Sequence, residues 1–221
     1  MKKKKLSIKV SASIGAVSAE LFIPQAPKAI VTIAHGAGAG MHHEFMITLS
    51  QLLAEHNIAT LRFNFPFMEN KKGRPDTPAV AHQTIAATIG KAKKLFPDLP
   101  LFAAGKSFGG RMTSQYLSAN PDADINGIIF YGFPLHQPGK PSAERAEHLK
   151  LIKIKMLFLQ GTRDELAAWN LIEPLCESLK LATLVKIEGA NHAFKAGKQN
   201  ILQVLADESN GWIEKRIKAK R

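Results

Sequence analysis

The chain has 221 residues, 45% of them hydrophobic, one cysteine and a formal net charge of +12. That much apolar material excludes wholesale disorder, a single cysteine excludes an intrachain disulfide, and no run is long and apolar enough to span a membrane. Nine positive charges lie at Lys2, Lys3, Lys4, Lys5, Lys215, Arg216, Lys218, Lys220 and Arg221, leaving +3 for the rest, so the basic termini read as solvated tails and no specific nucleic-acid partner is expected.

Residues 6–12 and 17–23 alternate apolar and polar around Gly15 and predict a β-hairpin. The same stretch has the outline of a secretory signal, with a basic start and a cleavage-like Val17-Ser18-Ala19. Lys9 interrupts its apolar core, and Ser7, Ser11 and Ser13 dilute it, which favours the strand and a cytoplasmic protein. Residues 29–34 predict a short strand that ends in His35-Gly36-Ala37-Gly38-Ala39-Gly40, then a helix over 44–56 and a strand over 58–63. A loop with Pro66, Gly73, Pro75 and Pro78 leads to a helix over 79–96. Residues 99–104 form a mostly apolar strand, 111–119 a helix and 125–131 a strand. The connection 133–154 is rich in Pro and Gly at its start, with at most a short helix over 143–150. A strand over 156–160, a helix over 165–180, a strand over 183–187 and a helix from 199 into the basic tail complete the chain. Cys176 falls in the helix over 165–180, where it reads as a small buried apolar residue.

Strands alternating with helices imply one α/β domain over 1–221, mostly a parallel sheet covered on both faces, with short basic tails at each end. In such sheets ligands bind beyond the carboxyl ends of the strands, and four strand-end segments carry chemical groups. Gly105-Lys106-Ser107-Phe108-Gly109 follows a strand and precedes a helix, the form of a nucleophile elbow. A serine at the apex of so tight a turn needs small residues two positions away on either side; Gly105 and Gly109 supply them, and Gly110 adds slack. A phosphate-cradling loop would need a glycine five residues before Gly105, where Pro100 stands.

His35-Gly36-Ala37-Gly38 fails the dinucleotide-binding pattern, because Met41 or His43 occupies the third glycine site and Asn64 replaces the acid that ends the next strand. It reads better as an oxyanion loop, with the Ala37 N–H as donor and Gly38 in reserve. The Phe108 N–H, next after Ser107, would be the second donor. Asp164, in Gly161-Thr162-Arg163-Asp164-Glu165, follows a strand, and so does His192, in Gly189-Ala190-Asn191-His192. The order Ser107, Asp164, His192 is the chain order of the α/β-hydrolase triad, in which the imidazole deprotonates the hydroxyl and the carboxylate orients the imidazole. Phe65, Phe67 and Met68 either line an acyl-binding pocket or pack their own loop, and Arg62 and Asn64 brace strand-end loops. His35, His42 and His43 lack the carboxylate or cysteine partners of a metal site, so no metal is expected, and no cofactor.

On these motifs the chain resembles the compact α/β-hydrolases related to dienelactone hydrolase. More closely it resembles the hydrolase-like domain of the NSL-complex regulatory subunit 3 and its bacterial relatives. The likeness runs over about 17–213 and rests on Ala34-His35-Gly36-Ala37-Gly38, Leu61-Arg62-Phe63-Asn64-Phe65-Pro66, Gly105-Lys106-Ser107-Phe108-Gly109-Gly110-Arg111, Pro138-Gly139-Lys140-Pro141, Gln160-Gly161-Thr162-Arg163-Asp164 and Asn191-His192. It implies an α/β-hydrolase fold without a large lid domain and a serine triad at Ser107, Asp164 and His192. The family pattern has Pro or a small turn residue after the acid, whereas Glu165-Leu166 follows here. The expectation is a cytoplasmic serine hydrolase of carboxylesterase or thioesterase type acting on a small-molecule ester. The alternative is a non-catalytic scaffold that binds a protein partner, and a third reading is a polyanion binder working through its basic tails.

Overall fold

The computed structural model describes residues 1–219. Eight strands form one sheet: β1 (Lys2–Ser11), β2 (Gly15–Ile23), β3 (Ala29–Ala34), β4 (Ile58–Phe63), β5 (Leu101–Lys106), β6 (Ile128–Tyr131), β7 (Met156–Gly161) and β8 (Ala182–Ile187). Their spatial order is β1-β2-β4-β3-β5-β6-β7-β8. The first two strands pair antiparallel and β2 joins β4 antiparallel; every pairing from β4 through β3 to β8 is parallel. The helices are α1 (Glu44–Glu55), α2 (Pro66–Glu69), α3 (Pro78–Leu95), α4 (Phe108–Ala119), α5 (Trp169–Ser178) and α6 (Ile201–Lys218), with a 3₁₀ segment over Glu144–Leu151.

The central strands are apolar at nearly every position because both faces of the sheet are covered. Their period-two alternation then sorts the side chains into two cores. Val31, Ile33, Phe102, Ala104, Ile129, Tyr131, Leu157 and Leu159 face α1 and α6. Ile30, Ala103, Ile128, Phe130, Met156 and Phe158 face the opposite layer, built by α3, α4 and α5. Helix starts follow local chemistry: His43 Nδ1 accepts the Phe45 N–H of α1 at 3.2 Å, Pro78 opens α3, and Asn200 caps α6.

Five expectations change. Lys2, Lys3, Lys4 and Lys5 are not a solvated tail: they are the first half of β1, paired with residues 20–23 of β2. The strand gains its partner's hydrogen bonds, and the lysines leave the sheet's outer edge charged, which disfavours pairing with another chain. Lys3 also reaches the buried Glu20 at 3.3 Å. The basic C-terminus lies largely within α6, while Lys220 and Arg221 lie outside the described residues.

The helix expected from 165 begins only at Trp169. The intervening amides have other partners: Leu166 N–H donates to Asp164 Oδ1 at 2.8 Å and Ala168 N–H to His136 Nε2 at 2.9 Å. The strand expected from 125 starts at Ile128, and the loop after β4 contains the short helix α2. No described helix is long and apolar enough to cross a membrane.

Candidate active site

Ser107 stands at the N-cap of α4, directly after β5, with φ +49° and ψ −116°. That backbone is strained for a residue with a Cβ. It is held because strand and helix cross in contact. A Cβ on Gly105 would lie 2.2 Å from the Gly110 nitrogen, and one on Gly109 would lie 2.5 Å from the Ala34 carbonyl oxygen. Gly110 is part of the same close approach rather than slack, since a Cβ there would lie 2.9 Å from the Gly105 oxygen.

Parallel register places the ends of β5, β7 and β8 along one sheet edge. Ser107, Asp164 and His192 therefore meet although 85 residues separate the first from the last. Ser107 Oγ lies 2.8 Å from His192 Nε2, and His192 Nδ1 lies 2.8 Å and 3.0 Å from the two Asp164 oxygens. A carboxylate only accepts, so Nδ1 carries the ring proton and Nε2 is left to accept from the serine hydroxyl. Asp164 is 4% exposed. Besides the imidazole, its Oδ2 accepts from Gln160 Nε2 at 2.6 Å and its Oδ1 from the Leu166 N–H. Gln160 is itself fixed, its Oε1 accepting the Phe133 N–H at 2.9 Å. The acid is thus aimed by four hydrogen bonds, and the Glu165-Leu166 sequence is accommodated because Leu166 supplies one of them. Glu165 is exposed and meets His192 through the main chain, accepting its N–H at 3.3 Å.

A cleft of 450 Å³ opens at Ser107, and Ala37, Gly38, Glu165, Leu166 and His192 are among its walls. Phe45 and Met46 of α1 supply its larger apolar surfaces. The connection 133–154 contributes none of its walls. The Phe108 N–H opens α4, where first-turn amides have no carbonyl partner inside the helix, and Ala37 lines the cleft beside Ser107.

The loop that bears Ala37 is braced from beneath. His35, fully buried, accepts the Phe65 N–H at Nε2 (2.9 Å) and donates from Nδ1 to the Gly36 carbonyl (2.7 Å). The two bonds together require the neutral ring, and burial pushes its pKa down to about 4. Arg62 donates to the Met41 carbonyl at 3.1 Å and Asn64 accepts the Met41 N–H at 2.8 Å, so both brace the loop's far end as the sequence suggested. Arg62 is buried against Glu20, which offsets its charge.

Phe65, Phe67 and Met68 are not among the cleft walls. Phe65 and Phe67 are fully buried and pack edge-on against Phe108 and His35 in the core. Met68 is half-buried near Gly40. Of the two roles open to these residues, loop packing is the one observed; the large apolar side chains that line the cleft are instead Phe45 and Met46, which the sequence reading left in an ordinary helix. The other histidines also have separate places: His43 caps α1 and lines the cleft, and His42 is exposed.

Three further polar residues escaped the sequence reading. Lys106 closes one apolar strand and Gln160 stands one residue before the end of another, a signal that was legible, since a polar residue near the end of a buried strand needs a partner. Lys106 donates from Nζ to the His192 carbonyl at 2.6 Å and sits 5.1 Å from the Phe194 ring centre. Burial lowers its pKa to about 8, against the opposing pull of Asp164 and Glu165. His136 was hidden in the irregular connection and holds the Asp164 loop through Ala168.

Among solved structures, dienelactone hydrolase from Anabaena variabilis superposes with a TM-score of 0.77 at 19% identity, covering 97% of this chain and 98% of that one. A lidless α/β serine hydrolase from Xanthomonas campestris gives a TM-score of 0.71 at 19% identity, with coverage of 99% and 95%. At these identities the likeness establishes the fold. In sequence, a Mycobacterium tuberculosis protein that bears a phosphoribosyl transferase name is 25% identical over 191 residues, which is 81% of this chain. The chain spans only 40% of that relative's length. The model of the alpha/beta hydrolase domain matches residues 27–211, across all the sheet-edge loops described above. The fold, the serine turn and this match agree, and the chain belongs to the alpha/beta hydrolase domain family.

Proposed function

We propose that the protein is a serine hydrolase of carboxylesterase or thioesterase type, acting on a small ester or thioester, akin to the bacterial relatives of the NSL-complex subunit 3 domain and working in the cytoplasm. The observation that carries this reading is the unbroken chain Ser107 Oγ, His192 Nε2, His192 Nδ1, Asp164, with every step at 3.0 Å or less. In this reading His192 takes the hydroxyl proton as Ser107 attacks the carbonyl carbon. The oxyanion is received by the Ala37 and Phe108 N–H groups. The imidazolium, stabilised by Asp164, then protonates the leaving group, and water deprotonated by the same ring releases the acyl group.

The cleft favours a short acyl chain. Its larger apolar contacts are side chains such as Phe45, Met46 and Leu166, and among the described residues the connection 133–154 does not reach over it. Each further buried CH₂ gains only ~0.8 kcal/mol, and an open cleft buries few. The phosphoribosyl transferase name belongs to a relative of which this chain spans 40%, and it is not carried over.

The test pairs a fluorophosphonate probe with a chain-length series of p-nitrophenyl esters in detergent-free buffer. Ser107→Ala should abolish labelling and lower kcat on the order of 10⁴- to 10⁶-fold while keeping the fold. Acetate and butyrate should turn over faster than palmitate. Labelling that persists in folded Ser107→Ala refutes the nucleophile. Inertness of the folded wild type to both probe and panel would favour the scaffold reading, with a protein partner.

A further inference from the structure

We propose that Lys106 is a positioning residue that holds the His192 imidazole in place by tying down the main chain of its loop; the role rests on the hydrolase reading above. The Nζ donates to the His192 carbonyl at 2.6 Å, while the His192 N–H donates to Glu165 at 3.3 Å. Charged side chains of opposite sign thus hold the histidine's carbonyl and its N–H. One comes from β5 and the other from the loop after β7. Lys106 is bonded covalently to Ser107, so the tie fixes the imidazole relative to the serine's own backbone.

Strand parity explains why this lysine points where it does. Phe102 and Ala104 face the α1 and α6 layer, and Lys106, two residues further, continues that row past the end of the core. Its ammonium lies 5.9 Å from the Phe45 ring centre and 5.1 Å from that of Phe194, which stack on each other. The aromatic faces attract the cation, and the carbonyl takes its hydrogen bond.

The histidine loop needs a tie of this kind. Phe194 has φ +60°, an uncommon conformation for a bulky residue. Its N–H donates to the Asn191 carbonyl at 2.9 Å, and the Lys195 N–H donates to Asn191 Oδ1 at 3.0 Å. These bonds curl the loop on itself. The bonds from Lys106 and Glu165 anchor it to the rest of the site. Strained backbone persists only where surrounding contacts over-determine it.

The titratable groups facing Nζ are Asp164 and Glu165 from the loop after β7 and His192 from the loop after β8. The α1 side presents Phe45, and the end of β6 presents Gly132. With its pKa lowered to about 8 by burial, Lys106 loses its charge within the ordinary assay range. A charge-assisted hydrogen bond is roughly twice as strong as a neutral one, so the hold weakens as pH rises through that value.

The experiment uses the full chain with Lys106→Met, which keeps an apolar stem and loses the donor, and Lys106→Arg, which restores charge and donors. The first readout is the His192 Nδ1–H proton resonance in the ligand-free protein, followed against pH; it requires no substrate. In wild type it should broaden above about pH 8, in Lys106→Met it should be broad throughout, and Lys106→Arg should recover it at least in part. The second readout is turnover of a short ester. Lys106→Met should lose about 10- to 100-fold in kcat with KM changed less than about threefold, since a small misplacement of a reacting group costs rate more than binding. Its alkaline limb should vanish. A folded Lys106→Met protein with wild-type resonance and kcat overturns the proposal. So does a folded Lys106→Leu protein with both unchanged, which decides the matter if the Met variant fails to fold. Absence of turnover in wild type would count against the hydrolase reading, while the resonance still reports on the tie.

Discussion

Acid should destabilise this protein through His35, in a pH window that its burial sets. In the folded chain the ring must be neutral, because Nε2 accepts from Phe65 and Nδ1 donates to Gly36. Protonation would force Nε2 to release the Phe65 N–H inside an environment of Phe65 and Phe67 rings. The folded pKa falls from 6.5 to about 4, chiefly through loss of water. The unfolded chain therefore takes the proton first. The contribution is fully present above about pH 6.5 and is lost as pH falls toward about 4. At ~1.36 kcal/mol per unit, stability should drop by about 2.5 kcal/mol between roughly pH 7.5 and pH 4.5 from this residue. Other groups titrate in the same range, so the assay is a difference: urea unfolding of wild type and His35→Asn at each pH. Asn keeps a donor for Gly36 but strands the Phe65 N–H, so it should be less stable at neutral pH by about 1–3 kcal/mol. The gap should close on acidification as wild type loses what the variant never had. A gap that stays constant down to about pH 4.5 would refute the tautomer and the burial argument together.

Two substitutions probe the geometry around the serine. Asp164→Asn should depress kcat by on the order of 10⁴-fold, because an amide cannot accept from Gln160, Leu166 and the His192 ring at once; steady-state kinetics showing a loss below tenfold would reassign the acid, with Glu165 the first alternative. Gly109→Ala places a Cβ 2.5 Å from the Ala34 carbonyl oxygen and 2.6 Å from that of His35, both backbone atoms at the root of the loop that bears Ala37. It should cost about 1–3 kcal/mol in thermal unfolding and lower kcat further by moving that loop; an unchanged melting temperature and rate would show that the crossing is looser than the distances imply.

The sequence alone determined the layout and the serine turn. Period-two runs and helical runs alternate along the chain, and an element apolar at every position has to be covered on both sides, so the parallel sheet with two helical layers followed. The turn at Ser107 was equally local, since glycines two residues away on either side admit a crossing that any Cβ would block. The order of Ser107, Asp164 and His192 placed them at strand ends, and parallel register brought those ends to one edge. Tertiary structure decided which way each loop side chain turned. Phe65 and Phe67 are apolar enough for a pocket wall or a core, and only their packing against Phe108 and His35 puts them in the core. The helix after Asp164 starts late because His136, remote in sequence, takes one of its amides. Lys2, Lys3, Lys4 and Lys5 look like a solvated tail until β2 offers them a ladder. Lys106 is one residue from Ser107, yet its partner is a carbonyl 86 residues away. Periodicity fixes which face a residue occupies; what that face meets is set by contacts between segments that sequence spacing does not encode.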